Sequence, residues 1–367
     1  MANIEDYLLW RGDLTFEQSP FNDVDNLILS QLAYVDWKGV IPSAGTKGGI
    51  SLCSAAEIFF ELNNEEELKK VKSFIAEVPF FMRNAAKTKR FKNIWLSEYV
   101  EHIDEEAQKQ FAAFHAKLGD GSVYIAFKGT DDTIVGWKED FNMSFIMPVP
   151  AQLEAVEYVN RTVRFRSGKV RLGGHSKGGN LAVYAAVKAL PGVKKKIIDI
   201  YNNDGPGFDK VMINSPEYQQ MRPRIKSIVP ESSVVGMLLE HDEEYTVVRS
   251  ENKGIMQHDA MSWQVIGTAF ERVKCVSDRS RRLNEALSSW INGLKKEDRA
   301  AFVESLFSLI TASGAQNLSD LNTDFFRSAN AALKAYSQMD KQTKAMLRKM
   351  LASLTDEIGK ARKNIKI

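Results

Sequence analysis

The spacing of apolar residues changes twice along this chain. Up to about residue 100 it is helical: LILSQLAYVDW (27–37) and SAAEIFFELNNEEELKKVKSFIAEV (54–78) each gather apolar positions on one face. Between them GTKGGISL (45–52) reads as a glycine-bearing loop, so residues 1–100 are expected to be mostly helical pieces. Near residue 107 the period shortens. QKQFAAFHAKL and SVYIAFKG flank Gly119-Asp120-Gly121, two strand-like runs around a turn, which predicts a hairpin. Strand and helix then alternate: a helix at 151–165, a strand at 169–174, a helix at 178–190 and a strand at 195–202. A helix at 216–225 follows, interrupted by Pro223, and then strands at 226–230 and 244–250. From about 265 the chain is strand-poor, with four amphipathic segments such as EDRAAFVESLFSLITA.

Such alternation predicts an α/β fold: a mixed, mainly parallel sheet flanked by helices and entered through an antiparallel hairpin. Three regions are expected. They are a mainly helical N-terminal region packed on the core (1–106), an α/β core (107–265) and a helical C-terminal region (266–367).

Composition narrows the class. With 44% apolar and 26% charged residues over 367 positions, the chain is not a disordered one. No run approaches 18 uncharged apolar residues, so no membrane-spanning helix is expected. The opening MANIEDYLLWRGD lacks the basic and apolar parts of a secretory signal. Cys53 and Cys275 are the only cysteines, without metal-like spacing. The expectation is a cytoplasmic protein with no disulfide, no metal and no cofactor. A net charge of +2 gives no reason to expect nucleic acid as a partner. That total conceals an asymmetry: residues 1–37 carry seven acids against Arg11, and residues 341–367 carry eight bases against Asp356 and Glu357. The basic end, with Leu347, Met350, Leu351 and Leu354 on one helix, is a candidate for peripheral contact with an anionic membrane. Packing of that apolar face on the protein itself is the plainer expectation.

The sharpest chemical signal is Gly174-His175-Ser176-Lys177-Gly178, a G-x-S-x-G run. Alone it is weak, but here it lies between a predicted strand and a helix rich in small residues. That context suits a nucleophile elbow, in which glycines permit a strained turn and Ser176 stands free at a helix N-terminus. A serine nucleophile needs a base. Of the five histidines, His102 and His115 precede the elbow, His175 adjoins the serine, and His241 lies at the wrong end of the last strand. His258 follows that strand, where the chain order serine, acid, histidine places the base. For the acid, Asp204 in the turn NNDGPGF comes first and Glu231 in VPESS is the alternative, with Asp242 and Asp259 weaker. Oxyanion donors are expected from the backbone N–H of Lys177 and from Thr130, where the strand YIAFKGT breaks.

These segments resemble a known family. AFKGTDDTIVGWKEDF is similar to the AFRGT…DW…DL segment of class 3 lipases, and GGHSKGGNLAVYAA to their GHSLGGALA elbow. The run from QFAAFHAKL to QHDAMSW resembles a bacterial lipase-like group that carries YNNDGPGF and VPESSVVGMLL. The resemblance implies an α/β-hydrolase fold and serine ester hydrolysis, with Ser176 as nucleophile, Thr130 at the oxyanion site and His258 as base. Two departures stand out. Class 3 lipases carry their acid in a D-x-V-P pattern after the strand equivalent to KSIVP, where this chain has Ser233; and Lys177 replaces a leucine. The expected substrate is a small ester or lipid-like molecule. The same machinery would serve a thioesterase or peptidase, and the missing acid leaves open a catalytically silent binding module.

Overall fold

The computed structural model describes residues 2–71, 73, 75–104, 106, 109–131, 134–143, 147–163, 168–293, 296–311 and 325–363. Its centre is one eight-stranded sheet whose spatial order follows the chain. The strands are β1 (Ile50–Ser51), β2 (Trp95–Asp104), β3 (Lys109–Lys117), β4 (Val123–Phe127), β5 (Val170–His175), β6 (Ile197–Asn203), β7 (Ile225–Pro230) and β8 (Tyr245–Val248). The first four pair antiparallel, and β4 through β8 pair parallel. This is the expected mixed α/β sheet, compatible with an α/β-hydrolase-like fold, and β3–β4 is the expected hairpin.

The helices in chain order are α1 (Ile4–Arg11), α2 (Asp23–Leu32), α3 (Leu52–Leu62), α4 (Glu65–Leu68), α5 (Val78–Lys87), α6 (Ile134–Met143), α7 (Pro150–Thr162) and α8 (Lys177–Lys188). After them come α9 (Pro191–Lys194), α10 (Lys210–Ile213), α11 (Pro216–Met221), α12 (Asp278–Gly293), α13 (Lys296–Thr311), α14 (Phe325–Gln338) and α15 (Lys341–Lys363).

A sheet that adds parallel strands steadily in one direction, each by a right-handed crossover, puts its connecting helices on one face. The packing follows that rule. Ile125, Phe127, Leu172 and Ile200 point into a core shared with α7, α8 and α11. Tyr124, Ala126, Phe114 and Tyr201, which alternate with them, point to the opposite face. A parallel sheet needs cover on both faces, and the second layer is supplied by α1, α2, α3 and α5. The N-terminal helices are therefore structural partners of the sheet. Asn26 of α2 donates to Asn203 Oδ1 (2.8 Å) and accepts from Tyr124 OH (2.7 Å), and Asn203 donates to the Gly174 carbonyl (2.9 Å). Arg90 ties this layer together by donating to buried Asp25 (2.7 Å from Nε) and to the carbonyls of Leu14, Thr15, Ser19 and Pro20.

Two expectations need correction. β2 falls where helix was expected; its register shifts between Ser97 and Val100, with Glu98 at φ 57°, so the apolar alternation of a strand is broken. The 54–78 segment is not one helix. Asn63 ends α3, and Asn64 caps α4 by accepting from Glu66 and Glu67. In α15, Leu347 and Met350 pack on the protein itself, as the plainer expectation had it, buried against Phe302, Val303 and Phe307; the side chains of Leu351 and Leu354 lie outside the described residues. Among the described residues, no helix is long and apolar enough to cross a membrane.

Candidate active site

The elbow forms where β5 runs straight into α8. Ser176 sits between them at φ 56° and ψ −130°, a region that side chains rarely adopt. Glycine at 174 and 178 makes this possible. A Cβ on Gly174 would lie 2.3 Å from the Gly178 carbonyl carbon, and one on Gly178 would lie 2.2 Å from the Phe127 oxygen. Strand, helix and the end of β4 thus approach as closely as backbone allows.

Three sequence candidates meet there. His258, on a single 3-10 turn after β8 (Gly254–His258), places Nε2 3.0 Å from Ser176 Oγ and Nδ1 2.7 Å from Asp204 Oδ2. A carboxylate can only accept, so Nδ1 carries the proton and Nε2 is left to accept from the serine hydroxyl. Asp204 is fully buried directly after β6, at φ 52°. Its second oxygen accepts from Gly236 N–H (3.2 Å) and from Ser233 Oγ. Ser233, where the resemblance to class 3 lipases led the acid to be expected, thus donates to the candidate acid Asp204, one strand earlier.

The other candidates lie apart. Glu231 pairs through its backbone with Val248 and Ser277 (3.0 and 2.7 Å), and the carboxylate on His258 is that of Asp204. Asp242 binds Arg222 (3.1 Å) and Gln219 (2.9 Å), and Asp259 caps Met261 N–H (3.0 Å). His102 pairs with Glu154, His115 with Thr162 (2.9 Å), and His241 with Glu243 (3.1 Å).

Two groups were not legible as partners. His175 does not touch the serine hydroxyl. Its Nε2 lies 2.8 Å from the His258 carbonyl, which can only accept, and Nδ1 lies 2.9 Å from Tyr34 OH. The imidazole is thus an Nε2–H tautomer, and burial holds its pKa well below the usual histidine range. Tyr34 and His175 together fix the backbone of the histidine loop from beneath, with Trp263 packed against the His175 ring. The motif marked His175; nothing in the apolar run 27–37 marked Tyr34.

Thr130 is buried beside the elbow, its hydroxyl donating to Asp140 Oδ2. Lys177 opens α8, and the first N–H groups of a helix have no acceptor within it. Asp140 Oδ1 has no partner, and burial pushes this carboxyl up to about 6 against the pull of Lys177. A carboxyl raised in the folded state favours folding while protonated. That contribution is complete below about pH 4 and lost as pH rises through about 6. Asp140→Asn is expected to match the parent in stability near pH 4 and exceed it by about 2 kcal/mol above about pH 7. Urea denaturation across that range measures the gap; a gap independent of pH would exclude Asp140 as the titrating group.

The chain matches none of the curated proteins and none of the solved structures. Residues 85–308 match the family described as Mbeg1-like. That span exceeds the 107–265 core, taking in β2 on one side and reaching α13 on the other. It covers more than half of the chain, which therefore belongs to the Mbeg1-like family, a lipase-like family.

Proposed function

We propose that this protein is a serine hydrolase of carboxylic esters working through an acyl-enzyme. The observation that carries the reading is the hydrogen-bonded chain Ser176–His258–Asp204, with Ser176 at a strained strand-to-helix turn. His258 Nε2 takes the hydroxyl proton as Ser176 Oγ attacks the ester carbonyl, and Asp204 stabilises the imidazolium through Nδ1–H. The N–H groups of Lys177 and Thr130 receive the oxyanion. His258 then protonates the departing alcohol. Water, deprotonated by the same imidazole, attacks the acyl-enzyme, and the acid departs as the C–Oγ bond breaks and His258 returns the proton to Ser176 Oγ.

Membership of a lipase-like family and the likeness of the motifs to class 3 lipases support the same reading. The reason for suspecting a silent binding module was an acid missing at Ser233. Asp204, hydrogen-bonded to His258, offers a carboxylate in its place and so favours the enzyme reading over a silent module. The substrate class is a small or lipid-like ester. The test is a fluorophosphonate probe followed by p-nitrophenyl esters of graded chain length. Labelling at Ser176 and release of p-nitrophenol are expected, and a folded protein that does neither would end the proposal.

A further inference from the structure

Lys177 departs from the lipase pattern in a way the reaction above does not use. Its side chain is 1% exposed, yet it carries a charge. Nζ donates to Glu139 Oε2 (2.9 Å) and to the Gln110 carbonyl (3.0 Å). Glu139, on α6, is equally buried and fully engaged. Its Oε1 accepts from Ala151 N–H and its Oε2 from Gln110 N–H, each at 3.1 Å. One carboxylate thus gathers donors from β3, from the start of α7 and from the residue after the nucleophile. Its neighbour Asp140 takes the Thr130 hydroxyl. A buried ion pair is seldom more stabilising than apolar side chains of the same volume. The leucine found here in class 3 lipases would fill the space without desolvating a charge, but it could not fix a distance and a direction.

We infer that the Lys177–Glu139 pair is a strut that sets the oxyanion side of the site against the nucleophile, making the Lys177 side chain a positioning residue for Thr130. The inference rests on the serine-hydrolase reading and deepens it. On the outer side of α6, Lys138 pairs with Glu304 of α13 (2.6 Å), so that helix is held from both directions. The strut joins residue 177 to α6, and α6 delivers Asp140 to Thr130.

The experiment compares Lys177→Met, Glu139→Gln and their combination. Each protein is normalised by fluorophosphonate titration of Ser176 and assayed with p-nitrophenyl butyrate. Either single variant strands a buried charge and lowers the melting temperature. In the double variant no charge is stranded, and the melting temperature recovers above that of either single variant, short of the parent by the one backbone N–H, of Gln110 or Ala151, that a single amide oxygen leaves without an acceptor. The strut predicts that kcat per titrated serine nevertheless stays about 10²-fold down, with KM near the parent value, because the oxyanion donors are misplaced. A double variant that recovers stability and kcat together would show a merely structural pair and overturn the inference. Lys177→Leu combined with Glu139→Met gives the same two outcomes if the first combination does not fold. A parent protein with neither labelling nor turnover would instead sink the hydrolase reading, and the strut with it. An active parent beside an unimpaired double variant would remove the strut alone.

Discussion

Replacing Ser176 by alanine is expected to lower ester turnover by about 10⁶-fold, the loss seen when the nucleophile of a serine protease triad is removed. At about 1.4 kcal/mol per decade this is roughly 8 kcal/mol of transition-state stabilisation. The size follows from the geometry. His258 Nε2 is 3.0 Å from the hydroxyl it would deprotonate, and without Oγ it has no nucleophile except water. What remains is binding and the oxyanion donors, which by analogy leave about 10³–10⁴-fold over the uncatalysed rate. Folding should survive, because among the described residues the Ser176 hydroxyl bonds only His258, and the backbone turn is held by β5, α8 and the glycines at 174 and 178. The measurements are p-nitrophenyl ester hydrolysis and fluorophosphonate labelling of parent and variant, with circular dichroism to show that both are folded. A Ser176→Ala protein that hydrolyses esters as fast as the parent would place the chemistry elsewhere.

The parts of this site that could be read from sequence are those whose chemistry constrains their neighbours. An elbow serine requires small residues before and after it, so Gly174 and Gly178 announced Ser176. A base that must reach the carboxyl edge of the sheet has to follow a late strand, which singled out His258. Asp204 was legible for a similar reason: it ends a strand and opens a turn. Glu139 and Asp140 gave no such signal, because two carboxylates on a short amphipathic segment look like the solvated face of any helix. Only the placement of α6 beside the elbow buries Glu139 and closes off the Asp140 carboxyl.

The N-terminal region was expected to be mainly helical and packed on the core, but nothing in its acidic, helical pattern said which face of the sheet it covers. In space it is the second layer that the parallel sheet requires. Its polar residues are spent on the sheet as well, Asn26 on Asn203 and Tyr34 on His175, while Asp25 and Arg90 hold the layer itself together. Asn203 precedes Asp204 and His175 precedes Ser176, so this layer supports the two strand ends that carry the candidate acid and the candidate nucleophile. β2 escaped notice because its bulge interrupts the period of two by which strands are recognised.

The acid assignment carries the other large effect. Asp204→Asn is expected to reduce kcat by about 10⁴-fold, the size of the corresponding change in a serine protease. The substitution alters almost nothing in shape. An amide oxygen can still accept from Gly236 N–H and from Ser233, so the residue keeps its buried place at the end of β6. The change lies in the proton. With the oxygen held there, the amide nitrogen faces His258 Nδ1 and donates to it, so Nδ1 must become an acceptor. The imidazole proton then moves to Nε2, which faces Ser176 and can no longer accept from it. His258 is intact but in the wrong tautomer. Because the damage is to the base, kcat should fall far more than KM rises, and fluorophosphonate labelling should slow in parallel. Glu231→Gln supplies the contrast: its carboxylate does not reach His258, and the variant should keep nearly the parent rate. Stopped assays of both variants with one ester decide between the two carboxylates. A large loss in Glu231→Gln with little in Asp204→Asn would reverse the assignment.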